Sequence, residues 1–268
     1  MEVMNNLDMK TQASQESNNI SSWNRLPIER ANSEIGTLNL QDGIDCPICL
    51  NRGYSLYESE GYMTQKDCTC MVARRSSKNA KKSGLGNLLK HNLESYVVQK
   101  PFQKKAKETA LEYLQEERKE WFVMLGQSGA GKTHICSAIA NELLKRGKEV
   151  SYISWQDFMS EIKKQIAKDD ERYFVEIRDV EVLYIDDFLK SKPTTFELDI
   201  AYRILNSRYA KKLVTLISSE RFMTEKNRNG LDGLVNVDEA ITGRIKELAK
   251  NYVIEITNDD AKNYRMEK

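Results

Sequence analysis

The run Gly126-Gln127-Ser128-Gly129-Ala130-Gly131-Lys132-Thr133 constrains this 268-residue chain more than any other feature. It has the form G-x-x-x-x-G-K-[ST]; an apolar stretch, residues 121–125, precedes it and an amphipathic one, residues 133–146, follows. A glycine-rich loop between a buried strand and a helix turns its backbone amides inward, so that the amides and the positive end of the helix surround an anion. Lys132 is then placed to neutralise β- and γ-phosphate oxygens, and Thr133 to hold magnesium. The expected ligand is ATP with Mg2+. A chance match in a glycine-rich turn has no reason to sit between strand and helix.

The remaining pattern agrees. Helical spacing over residues 102–118, 133–146 and 157–167 alternates with apolar strands at 121–125, 150–154, 182–185, 213–217 and 252–256. Such alternation predicts an α/β fold, a mostly parallel sheet with helices on both faces. The strand at 182–185 runs into Asp186 and Asp187. Asp186 would orient magnesium through its water shell, and Asp187 would polarise the attacking water, which makes hydrolysis of ATP to ADP and phosphate the expected reaction. The strand at 213–217 leads to Ser218-Ser219-Glu220, whose side chains would reach the γ-phosphate or its attacking water, or cap a helix starting near Phe222. Arg244, in Thr242-Gly243-Arg244-Ile245, is a candidate arginine finger toward a neighbouring subunit's nucleotide, with Arg203 and Arg208 as alternatives.

Four of the five cysteines form two pairs, Cys46/Cys49 and Cys68/Cys70, with eighteen residues between the pairs. The chain opens without the basic flank and apolar run of a signal peptide, and its apolar runs are too short to span a bilayer, so a cytoplasmic location is expected and disulfides are not. Four thiolates at this spacing close a tetrahedral structural Zn2+ site around a small hairpin; because the second pair is C-x-C, His91 or water remains an alternative fourth ligand. Cys136 reads as a small buried apolar residue. The expected organisation is a tail or isolated helices over 1–40, a zinc-binding domain over 41–75, a basic linker over 76–92 and an ATPase domain over 93–268. Ten Lys or Arg residues and a single acid, Glu94, lie between Met71 and Lys107, which suits nucleic-acid phosphates, an acidic partner or a solvated face. Tyr152, Trp155 and Phe158 are able to stack bases, but their place beside a strand and a helix favours core packing.

In this order the motifs resemble the DnaC and DnaI type helicase loaders of bacteria and phages, a branch of the AAA+ ATPases close to the IstB transposition ATPases. The likeness runs from about residue 42 to the end. It is carried by Cys46-Pro47-Ile48-Cys49 with Gly53-Tyr54, Asp67-Cys68-Thr69-Cys70, Ser83-Gly84-Leu85, the phosphate loop through His134, Tyr184-Ile185-Asp186-Asp187, Asn206-Ser207-Arg208-Tyr209 and Thr242-Gly243-Arg244-Ile245. The resemblance implies an AAA+ core without a full lid domain, His134 and Ser219 near the nucleotide, and an arginine sensor in the terminal segment at Arg265. It also implies docking of the amino-terminal region on a hexameric replicative DNA helicase, binding of single-stranded DNA, and self-assembly dependent on nucleotide or partner. Departures are Ser219 where such proteins often carry Asn, Asp187 where many carry Glu, and Glu247 where some carry a second arginine. The shorter Asp187 suits slow hydrolysis.

Overall fold

The computed structural model describes residues 27–117, 119–227 and 230–257, and the chain divides into two compact units, residues 1–74 and 75–268.

The first unit holds a helical segment α1 over residues 27–33, a short helix α2 (Leu38–Asp42), and an antiparallel hairpin of β1 (Tyr54–Ser59) and β2 (Tyr62–Asp67). Helix α3 (Cys70–Lys82) starts in this unit and ends in the second. The stretch expected as a basic linker therefore begins as helix, because Arg, Lys and Ala are good helix formers when their charges face water. Hydrogen bonds tie the small unit together. The Arg52 guanidinium donates to the carbonyls of Ala31 and Asn32, the Asn32 side chain pairs with the backbone of Leu56, and the Asn51 Oδ1 accepts the Cys46 amide at 2.8 Å. The cysteines are its buried apolar cluster.

In the second unit five parallel strands stand in the order β4-β5-β6-β3-β7: β3 (Phe122–Gly126), β4 (Val150–Ser154), β5 (Val182–Asp186), β6 (Val214–Ser219) and β7 (Val253–Ile256). Strand alternation sends successive residues to opposite faces. Val123, Leu125, Leu183, Ile185 and Ile217 enter one apolar layer, which is closed by α6 (Trp155–Ile166), α7 (Arg172–Asp179), α8 (Thr195–Lys211) and α10 (Glu239–Ala249). Phe122, Met124, Val182, Tyr184 and Leu216 enter the other, against α4 (Pro101–Gln115) and α5 (Lys132–Lys145). A sheet buried on both faces needs continuous apolar strands, and β3 and β5 are buried at every position. Local signals fix the helix starts: Thr194 and Glu197 form a capping box on α8, and Asp238 accepts the Ile241 amide at the start of α10.

Trp155 and Phe158 are core residues, as expected, each 2% exposed. No helix starts near Phe222; the chain bends there, and the next helix is α9 (Leu234–Val237). Beyond β6 the described residues hold α9, α10 and β7, and no lid domain. The edge strand β4 does not end the backbone pairing, because the Tyr152 amide donates to the Ser83 carbonyl at 2.6 Å. Gly84, at φ +73°, lies so close to the Tyr152 carbonyl that a side chain there would collide with it.

Candidate functional site

The strand order puts β3 between β6 and β7, so the loop leaving β3 opens at the carboxyl ends of the strands, where parallel sheets bind ligands. Gly126 closes β3 at φ +114°, and a Cβ there would strike the Ile256 backbone. Gly131 caps α5 at φ +85°, with the Tyr96 ring where its Cβ would stand. Residues 128–134 form one wall of a cleft of about 560 Å³; Asp186, Asp187, Lys190 and Glu220 form a second, and His91, Ser95 and Tyr96 a third.

Lys132 is 6% exposed, and its Nζ donates to the carbonyls of Gly126 at 2.9 Å and Gln127 at 2.8 Å. Burial lowers its pKa, against the pull of Glu220, Asp187 and Asp186. Asp186 is the hub of the acidic wall. It accepts from Thr133 Oγ1 at 3.2 Å, Tyr152 OH at 3.4 Å, its neighbour's amide at 3.1 Å and, in a short contact, Ser218 Oγ. Asp187 turns the chain at φ +54° and faces the cleft, where Lys190 Nζ stands 3.1 Å from its Oδ2.

His134, the first residue past the loop motif, stacks on His91 with centroids 4.5 Å apart, and its Nε2 lies 3.0 Å from the Asn92 carbonyl. The Tyr96 ring meets it edge-on at 5.2 Å. His91, considered as a zinc ligand on the sequence, thus serves the cleft, and burial lowers its pKa. The segment 88–97 carried no motif in the sequence, and only its fold reveals this wall.

Ser219 does not line the cleft. It is fully buried, donates to the Phe188 carbonyl at 2.7 Å and accepts the Arg221 amide at 3.1 Å. Strand alternation explains the correction: Ser218 and Glu220 share the face toward the loop, and Ser219 points the other way. The same rule applied to the sequence would have selected Glu220. Arg208 is also excluded as a finger, since it is fully buried with its Nε on Thr215 Oγ1 at 2.9 Å and its Nη1 on the Val180 carbonyl at 2.8 Å. Arg203 lies over the Phe174 ring at 4.5 Å. Arg244 stays on the outer face of α8 and α10, away from its own cleft, stacked at 4.8 Å over Tyr202 and donating to Asn206 Oδ1 at 2.9 Å. Arg265 lies outside the described residues.

In the first unit Cys46, Cys49, Cys68 and Cys70 place all four sulfurs within 4.8 Å of one another. The Cys46–Cys68 and Cys49–Cys70 separations are 3.8 and 3.6 Å. A tetrahedral ion with Zn–S bonds of about 2.3 Å requires sulfurs about 3.8 Å apart, so these two separations match a zinc site and the remaining ones, within 4.8 Å, need at most a small contraction. The Gly53 amide points at Cys49 Sγ from 3.3 Å, a contact of the kind that orients a metal-bound thiolate. Burial resists ionisation at Cys49, but this amide and the neighbouring thiols hold its pKa down to about 7.

The model of IstB-like ATP-binding proteins matches residues 55–267. The chain belongs to the IstB-like ATP-binding family. This IstB-like protein is 30% identical over 225 residues to the phage-like element PBSX protein XkdC of Bacillus subtilis (strain 168), an alignment covering 78% of this chain and 81% of that one. It is 28% identical over 162 residues to the replicative helicase loader DnaC of Escherichia coli (strain K12), across 58% of this chain and 66% of DnaC. The crystal structure of DnaI superposes with a TM-score of 0.54 at 27% identity, over 64% of this chain and 94% of DnaI. The IstB-like core is thus an AAA+ ATP-binding fold related to the DnaC and DnaI loaders. Among the described residues no helix is long and apolar enough to cross a membrane.

Proposed function

We propose that this IstB-like protein is an ATP-dependent loader that places the replicative DNA helicase on single-stranded DNA, anchored to the helicase through its amino-terminal zinc unit and switched by ATP binding and hydrolysis. The observation that carries the proposal is the pairing, in one chain, of a complete four-thiol set with a phosphate loop whose Thr133 and Asp186 lie 3.2 Å apart.

In this reading the loop amides and Lys132 hold the β- and γ-phosphates. Mg2+, a hard ion that takes a hydroxyl and one carboxylate beside phosphate oxygens and waters, fits Thr133 and Asp186 and supplies charge neutralisation. Asp187 orients a water for attack on the γ-phosphorus; the new P–O bond forms as the bond to the bridging oxygen of ADP breaks, and the water's proton passes to Asp187 or the departing phosphate. Arg244, half-buried against Tyr202 and Asn206 away from its own cleft, completes the site of a neighbouring copy when nucleotide or the helicase drives assembly. A Zn2+ ion on the four thiolates supplies the rigidity that the first unit lacks.

A second reading, a transposition ATPase that hands DNA to a transposase, is favoured by the IstB description of the family. Native mass spectrometry of the protein mixed with its host's replicative helicase, with and without ATP, separates the two. A stoichiometric complex that survives Lys132→Ala and fails with Cys49→Ser is the expected result. Absence of a helicase complex under every nucleotide condition overturns the loader reading in favour of transposition.

A further inference from the structure

The turn after β5 is held in an uncommon shape. Asp187 and Leu189 both take left-handed backbone angles, φ +54° and +49°, and Leu189 has no polar side chain to favour that conformation. Such a turn persists when its surroundings over-determine it. Here they do. The Phe188 amide donates to the Ser218 carbonyl at 2.9 Å, and the side chains of Phe188 and Leu189 are buried in the core. Beneath the turn, the buried guanidinium of Arg221 donates to the carbonyls of Leu189 at 2.5 Å, Ser191 at 2.6 Å and Asp232 at 2.6 Å. With its middle nailed down, the turn presents its two ends, Asp187 and Lys190, to the cleft.

Lys190 Nζ bridges two carboxylates, Asp187 Oδ2 at 3.1 Å and Glu220 Oε1 at 3.2 Å. Partial burial pulls its pKa down, but the two acids outweigh that and raise it, so the ammonium is charged at neutral pH. The cleft then contains three acids, Asp186, Asp187 and Glu220, against two lysines, of which Lys132 is buried under the loop. Beyond the charge that Mg2+ on Thr133 and Asp186 offsets, a γ-phosphate entering beside Asp187 and Glu220 meets like charge that a neighbouring side-chain cation relieves. Lys190, with a flexible stem and a side chain 36% exposed, is the cation with room to move.

We propose that Lys190 is a positioning residue that distinguishes a nucleoside triphosphate from a diphosphate. It clamps Asp187 to Glu220 when no terminal phosphate is present, and transfers its ammonium to that phosphate when a triphosphate binds, which releases Asp187 to orient the attacking water. The inference rests on the nucleotide-site reading above, and deepens it by assigning the switch to one side chain that carries no motif.

The test uses the full chain with Mg2+ and compares the affinities of ADP and a non-hydrolysable ATP analogue for the wild type, Lys190→Met and Lys190→Arg. Removing one charge-assisted contact to phosphate is expected to weaken the analogue about tenfold in Lys190→Met, with a change in ADP below about twofold and most of the discrimination kept in Lys190→Arg. Equal weakening of both nucleotides, or an unchanged ratio between them, overturns the role of Lys190 and leaves the nucleotide site standing. If the wild type binds neither nucleotide, both proposals fall together.

Discussion

The two units of this chain keep their shape by different means. Among the described residues of the larger unit the buried side chains form two apolar layers on either side of a five-stranded sheet, whereas among residues 27–74 the buried apolar cluster is four cysteines. The described part of the small unit even leaves apolar residues outside, with Ile35 79%, Leu40 81% and Ile48 71% exposed, so apolar burial among these residues is slight. If zinc completes the four-thiol core, as proposed above, that core is lost by chemistry that leaves an apolar core untouched. Stability and site are therefore separable in this chain, and three experiments break or sharpen that contrast.

The largest effect is expected from the metal. A chelator, or Cys49→Ser, should remove bound zinc and with it a contribution on the order of 10 kcal/mol to the small unit's fold. Hydrogen exchange over residues 27–74 should rise to the unprotected rate while residues 121–126 stay protected; retained protection in both would show a unit that folds without metal. A smaller and reversed effect belongs to the sheet. Ile217 is fully buried in the layer beneath α8, and Ile217→Ala should cost the second unit about 2–5 kcal/mol in denaturant unfolding without changing zinc content. The smallest concerns pH. Arg178 and Lys211 hold Asp179 well below the usual carboxylate range, so its contribution is complete above the unfolded pKa of about 4 and disappears as pH falls through the lower folded value. Asp179→Asn should remove that part of the acid sensitivity of the second unit, worth about 1 kcal/mol or less for so exposed a pair.

The contrast also separates what could be read from the sequence. The strands and the phosphate loop were legible because apolar runs and glycines report local backbone needs, and the observed β4 spans the expected residues 150–154. The cysteine pairs were legible because thiols at that spacing have few other uses. What escaped depended on register and distant packing. Ser219 and Glu220 differ by one position, which is the difference between the core and the cleft. Arg208 reads as an alternative finger until its four backbone and hydroxyl acceptors are assembled from two separate segments, 178–180 and 214–215. His91 and His134 are 43 positions apart and carry no pattern, yet they stack. Lys190 has meaning only through the turn that Arg221 holds from the far side.

The contact of Ser83 and Gly84 with Tyr152 has a further consequence. A parallel sheet ends in a strand whose free amides and carbonyls offer a template to any passing extended chain, and such sheets form slowly, through contacts distant in sequence. Here a segment that is made before the sheet already occupies one of those positions. One pairing position on that edge is thus already filled from within the same molecule, which leaves a second copy a shorter template for strand addition.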